Sequence, residues 1–133
     1  MNETSIDLSG CEQCWPSSPD AAWKARKGLT YTTELIDESH YYVAILACPQ
    51  CGQQFLSVFT EIIDWARGED PQYWTVLPIT QSEAAELKHR GDKLTENEID
   101  SLGPDRRSLC RDFPSGGDIR VFWGKGITVG FHD

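Results

Sequence analysis

Several features that would assign the chain to a common functional class are missing from its sequence. No apolar run approaches the roughly 18 residues that a membrane-spanning helix needs. The three histidines lie far apart, and we find no P-loop, dinucleotide fingerprint, G-x-S-x-G motif or HExxH helix. The sequence therefore predicts no membrane span, and the preferred interpretation is a protein that is not an enzyme.

Basic residues are also scarce. Twelve lysines and arginines stand against 21 aspartates and glutamates, which gives a net charge of −9. A field of this sign repels phosphate backbones, so we expect no nucleic-acid partner and instead expect a protein partner.

The first ten residues, MNETSIDLSG, lack the basic start and the apolar centre of a secretory signal. We therefore expect a cytoplasmic location, where thiols stay reduced. In such a compartment the five cysteines favour metal binding or redox chemistry over structural disulfides.

The length and composition that are present suit one folded domain. The chain has 133 residues, 39% of them apolar, with five Trp, five Phe and four Tyr to bury. We predict a single zinc-binding domain over residues 1–133, of the α+β class. It has a metal-bearing part at about 8–63 and a part with helices and a C-terminal hairpin at about 74–133.

The centre of the chain is predicted to form a β-hairpin with two cysteines in its turn. Tyr41–Ala47 is an unbroken apolar run, typical of a strand buried on both faces. Residues 55–62 alternate in a second strand. Between them lies Cys48-Pro49-Gln50-Cys51-Gly52, where both thiols can face one ion and the glycine supplies the positive φ that ends the turn.

This turn resembles the zinc knuckle of zinc-ribbon and rubredoxin-like proteins, whose usual pattern is CPxCG. The resemblance covers these five residues and implies a metal, zinc or iron, held in a small β-sheet. A knuckle supplies two ligands, whereas a closed tetrahedral site needs four.

A second cysteine pair has the same internal spacing. Cys11 and Cys14 are separated by two residues, and 33 residues lie between Cys14 and Cys48. Trp15 follows this pair where the family pattern has glycine. Two such pairs in a short chain favour a zinc site formed by four cysteines, Cys11, Cys14, Cys48 and Cys51.

Four thiolates saturate a zinc ion, so we expect structural zinc in a non-catalytic adaptor or protein-binding module. Three alternatives stay open. The first is a rubredoxin-like electron carrier with iron, the second is a thiol oxidoreductase using one CxxC pair, and the third is a zinc ribbon that binds nucleic acid.

Capping residues and alternation predict the other elements, as a small antiparallel sheet with a few short peripheral helices. We expect helices after Ser18-Pro19 and from the capping boxes Thr80-Gln81-Ser82-Glu83 and Thr95-Glu96-Asn97-Glu98. Further strands are expected at 31–36, 74–79 and 119–123, the last turning at 124–126 into a partner strand at 127–129.

Three further features are candidates for chemistry. His40 could add a ligand but is better interpreted as a hydrogen-bonded residue at a strand end. Arg106, Arg107 and Arg111 form a basic cluster that we interpret as a helical turn, with an anion site as the alternative to a salt-bridged face. Cys110, inside this cluster, is interpreted as a buried small side chain, although flanking arginines would make an exposed thiol reactive.

Overall fold

The computed structural model describes residues 10–63, 65–66, 68, 70–114 and 118–129. In this part of the chain six strands form one antiparallel sheet, and its strand order follows the sequence. The α+β class is therefore confirmed at the level of one antiparallel sheet with a few short helices. The strands are β1 Thr30–Glu38, β2 Tyr41–Ala47, β3 Gln54–Glu61, β4 Gln72–Ile79, β5 Arg107–Phe113 and β6 Arg120–Lys125; the helices are α1 Pro19–Ala25, α2 Gln81–Arg90 and α3 Glu96–Asp100.

The sheet has an apolar cluster on each face. Val43, Ile45 and Leu56 belong to the first cluster, which α2, α3 and residues after β6 cover. Phe55 and Val76 belong to the second, which the cysteine arm and α1 cover. Since β2 lies between these layers, three consecutive residues of it, Val43 to Ile45, are 0% exposed, as its continuous apolar run predicts.

The helices begin where the capping residues place them. The Ser18 hydroxyl accepts a hydrogen bond from the Ala21 amide, with Pro19 at the first helical position. Both capping boxes are formed, by Thr80 with Glu83 and by Thr95 with Glu98. These three helix starts confirm the sequence prediction.

Two of the expected elements are wrong. The segment with Arg107 and Arg111 is not a helical turn but strand β5, paired with β4 on one side and β6 on the other. The expected hairpin partner at 127–129 is not a strand. After β6, the Gly126 amide donates to the Arg106 carbonyl oxygen at 2.8 Å, and the chain leaves the sheet so that Ile127 is buried in the first cluster.

Among the residues that the structure describes, no helix is long and apolar enough to cross a membrane.

Candidate metal centre

Two short turns present the four cysteines, and the same backbone hydrogen bond closes each. The Gly52 amide donates to the Cys48 carbonyl oxygen at 2.9 Å, and the Trp15 amide donates to the Cys11 carbonyl oxygen at 2.8 Å. A tight turn of this kind places its two thiols on one side of the chain. Only the Cys48–Cys51 turn needs a glycine at its end, because Gly52 has a φ of 80°.

The turns face each other, and their sulfurs converge. The Sγ atoms of Cys11 and Cys14 are 3.7 Å apart, and 3.8 Å separates Cys11 from Cys48 and Cys14 from Cys51. All four Sγ atoms lie within 4.8 Å of one another. A tetrahedral ion with metal–sulfur bonds of about 2.3 Å holds its sulfurs about 3.8 Å apart. These four cysteines could therefore hold a metal ion.

The same distances show that these four cysteines form no disulfide bonds with one another. All four residues are free cysteines, and the sulfur separations are far above the roughly 2.05 Å of an S–S bond. The backbone amide of Gln50 lies 3.4 Å from the Cys48 sulfur, and that of Cys11 lies 3.3 Å from the Cys14 sulfur. Amides directed at sulfur stabilise thiolate, the form that binds metal.

Among the four cysteines, Cys14 is the one whose thiolate form would gain most from a nearby cation, because it is buried. This side chain is 3% exposed, and burial raises the pKa of its thiol. By contrast, a hydrogen bond from the Cys14 backbone lowers the pKa of Cys11 to about 7. A bound metal cation would offset the cost of a buried thiolate at Cys14, because it provides the opposite charge at bonding distance.

Gly10 is a part of the site that the sequence analysis did not identify. Its φ is +69°, and a Cβ atom placed on it would lie 2.5 Å from the Cys14 sulfur. Any other residue would therefore push the first cysteine turn away from the cluster. A glycine directly before the first cysteine was the available signal.

Trp15 explains why the first turn departs from the family pattern. Its ring is 8% exposed and lies between Phe55 and Trp123, at centroid distances of 5.2 and 4.9 Å. The Trp123 indole also donates to the Ser17 carbonyl oxygen at 3.0 Å. The residue that replaces glycine thus anchors the cysteine arm on the sheet by burying aromatic surface.

The two other single candidates lie outside the cluster. His40 bonds to Glu61, with Nδ1 3.1 Å from Oε1, as a strand-end histidine was expected to do. Cys110 is half-buried on β5, and burial raises the pKa of its thiol. Flanking arginines would instead lower the pKa of this thiol. They do not do so here, because side chains that neighbour each other along a strand point to opposite faces.

The arginine cluster is dispersed. Arg106 makes two hydrogen bonds to Glu83, at 2.8 and 3.2 Å, and a third to the Pro78 carbonyl oxygen. It is a structural residue between α2 and the sheet. Arg107 and Arg111 lie on the other side, where their guanidinium groups stack on tryptophan rings.

Comparison of the chain with protein-family models, with curated proteins and with solved structures gives no match.

Proposed function

We propose that the chain is a non-catalytic module that binds another protein, and that a single structural Zn²⁺ held by its four clustered cysteines fastens the N-terminal arm to the sheet. The observation that carries the metal assignment is the sulfur spacing of 3.7 to 3.8 Å. Four thiolates fill the coordination of zinc and leave no position for a substrate or water. The ion then has a mechanical role only.

In this proposal the whole chain forms one domain. Support comes from the sheet, because β4 pairs with β3 of the metal-bearing part and with β5 of the other part. The Zn²⁺ held by the four cysteines then adds stability to a sheet that already has an apolar cluster on each face.

A protein partner is favoured by charge and by exposed aromatic surface. The net charge of −9 becomes −11 when four thiol protons are replaced by one Zn²⁺, and it opposes binding to a polynucleotide. Trp65 is 90% exposed and Tyr31 is 53% exposed. Aromatic side chains of this kind are enriched in protein interfaces.

Iron is the second candidate for the metal, because a rubredoxin-like FeS₄ centre uses the same cysteine turns and would make the chain an electron carrier. The partial exposure of Cys11 and the exposure of Cys51 would give an electron a short path to the surface. Colour separates the two, since the iron protein is red and the zinc protein is colourless.

Thiol oxidoreductase chemistry is less well supported. It needs a CxxC pair free of metal at the start of a helix. Cys48 and Cys51 instead lie between β2 and β3, and four residues separate Cys14 from α1. All four sulfurs also face one centre.

The metal is tested by elemental analysis of protein purified without chelators. We expect about one zinc per chain in the wild type, much less in Cys48→Ser, and an unchanged content in Cys110→Ser. The last variant is the matched control because Cys110 lies outside the cluster. Wild-type protein that is folded and free of metal would refute the zinc proposal, and about one iron per chain would favour the second candidate.

The partner is tested by affinity capture from lysate of the native host, with and without nuclease and at two salt concentrations. We expect the same protein to be recovered in all conditions, and a Trp65→Ala variant to recover less of it. Capture of RNA or DNA that falls steeply with salt would overturn the proposal in favour of a nucleic-acid ribbon.

A further inference from the structure

Two arginines share the rings of two tryptophans on the face of the sheet that carries the cysteine arm. The guanidinium carbon of Arg26 lies 3.9 Å from the centroid of the Trp23 ring. That of Arg111 lies 5.1 Å from the Trp23 centroid and 5.0 Å from the Trp74 centroid. We call these four residues the arginine–tryptophan patch.

The strand register and α1 build this patch. Phe59, Trp74 and Arg111 are direct cross-strand partners in one row over β3, β4 and β5. The Phe59 and Trp74 rings are 4.4 Å apart, and Trp23 meets Trp74 edge-on at 5.5 Å. Since α1 packs against β5 and β6, Trp23 and the following Arg26 are brought over this row. Stacking on packed rings restricts the guanidinium planes.

Among the described residues, no carboxylate forms an ion pair with either arginine of the patch. In the described ranges, Arg90, Arg106 and Arg120 each form an ion pair with a carboxylate. Arg26 and Arg111 have no ion pair with a described residue, although acids outnumber bases by 21 to 12 in the chain.

One guanidinium nitrogen of Arg26 has no hydrogen-bond acceptor in the described part of the chain. Its Nε atom is buried and has no partner among the described residues. Burial lowers the pKa of Arg26; Tyr31 acts against this, and the like charge of Arg111 adds to it. An acidic group that binds both guanidinium groups would offset the repulsion between them.

The two arginines of the patch are close neighbours. Both guanidinium carbons lie near the Trp23 ring, so they are separated by at most the sum of the two distances, about 9 Å. A tetrahedral anion has several oxygens, so it can accept hydrogen bonds from two guanidinium groups at once. A phosphate monoester carries about −1.5 to −2 charges at neutral pH, which matches two arginines better than one carboxylate does.

We propose that the arginine–tryptophan patch binds a phosphorylated side chain of the partner protein. This rests on the proposed function, because it specifies the chemistry by which a protein partner is recognised. A polynucleotide has the same phosphate chemistry but brings many charges against a protein of net charge −9, whereas a single phosphorylated residue brings one dianion.

The test is an NMR titration of the zinc-loaded, ¹⁵N-labelled chain of 133 residues with N-acetyl-O-phosphoserine amide. The matched probe is the same compound without phosphate. We expect the indole N–H signals of Trp23 and Trp74 to shift with the phosphorylated probe alone, while those of Trp15 and Trp123 stay in place.

Variants identify the arginines responsible. Arg26→Gln and Arg111→Gln should each weaken binding about tenfold or more, since each removes charge-assisted hydrogen bonds. Arg107→Gln is the matched control and should leave binding unchanged, because Arg107 stacks alone on Trp123, 5.0 Å from its centroid. Arg111→Lys keeps the charge and removes the planar fork, so it should also weaken binding and serves if the glutamine variant does not fold.

Three results of the binding experiments with these probes would overturn the inference. They are equal shifts with the probe that lacks phosphate, equal losses from Arg107→Gln and Arg111→Gln, and tighter binding of an oligothymidylate than of the phosphoserine probe. The proposed function fails separately. If the phosphoserine probe binds but no protein is captured from lysate, the module proposal is wrong; if a partner is captured regardless of phosphatase treatment and of Arg111→Gln, the present inference is wrong.

Discussion

Glu83 gives a prediction whose size follows from the structure. Its carboxylate accepts two hydrogen bonds from Arg106 and one from the Thr80 amide at 2.8 Å, so it serves the sheet and the start of α2 together. The side chains of Arg106 and Glu83 are 21% and 23% exposed. Breaking a fully buried pair costs about 3–5 kcal/mol and losing a cap about 1 kcal/mol. Because this pair is partly solvated and Arg106 keeps its bond to Pro78, we expect Glu83→Ala to lower the free energy of unfolding by about 2–3 kcal/mol.

The matched control is Glu98→Ala. It removes the equivalent capping-box residue and the equivalent type of ion pair at α3. The side chains of Glu98 and Arg90 are each 38% exposed, so the loss should be clearly smaller. Urea unfolding followed by circular dichroism measures both. Equal losses, or a Glu83→Ala loss below about 1 kcal/mol, would contradict the reasoning.

The pH dependence provides a second measurement on the same residue. Burial would raise the pKa of Glu83, but the hydrogen bonds from Arg106 and Thr80 outweigh burial and hold the pKa below its usual range. The stabilisation is therefore complete above the unfolded pKa of about 4.3 and is lost as the pH falls through the lower folded pKa. The difference in stability between the wild type and Glu83→Ala should shrink over that acid range and stay constant between pH 6 and about 8. A difference that grows on acidification would be contrary to this sign.

Three further predictions follow from the cysteine centre and the apolar cluster around it. Chelation of the metal should release the N-terminal arm first, so that hydrogen exchange increases at residues 10–18 while the sheet signal in circular dichroism persists; loss of the whole sheet would show that the metal holds the entire fold. Gly10→Ala should weaken metal binding in a competition assay with a chromophoric chelator, because its Cβ would meet the Cys14 sulfur at 2.5 Å, whereas Gly28→Ala, with no atom within 4 Å, should have no effect. Phe55→Ala should cost about 3–5 kcal/mol in urea unfolding, as its ring is 0% exposed, and Phe59→Ala, which is half-buried, should cost less.

The elements that the sequence predicts well are those with a local cause. The apolar run of β2, the Cys48–Cys51 turn with its glycine, and the helix starts each depend on residues within a few positions of one another. The four cysteines could be paired from their equal spacing, and their sulfurs do converge. The identity of the metal stays a prediction, because zinc and iron accept the same four ligands.

The misassigned segment shows the limit of pattern reading. Arg107 and Arg111 are four positions apart, and that spacing puts two side chains on one face in a helix and in a strand alike. Because of the charged residues around Leu109, the apolar–polar alternation of a strand is hard to recognise in this segment. Its pairing with β4 and β6 makes it a strand. The contact of Arg111 with Trp23 joins distant parts of the chain, so no local rule could predict it.

The sequential order of the strands has a consequence for how the chain folds. Each strand pairs with its neighbour in sequence, so the sheet can grow strand by strand, and the one long connection is that from β4 to β5, which contains α2 and α3. The arm is different, because the indole of Trp123 on the last strand bonds to Ser17, 106 positions away. During synthesis the arm leaves the ribosome before the strands, yet its aromatic anchor is complete only after β6 has emerged. Until then the first cysteine pair and Trp15 lack part of their binding surface, so we expect metal capture by all four cysteines to be a late event in the life of each new chain.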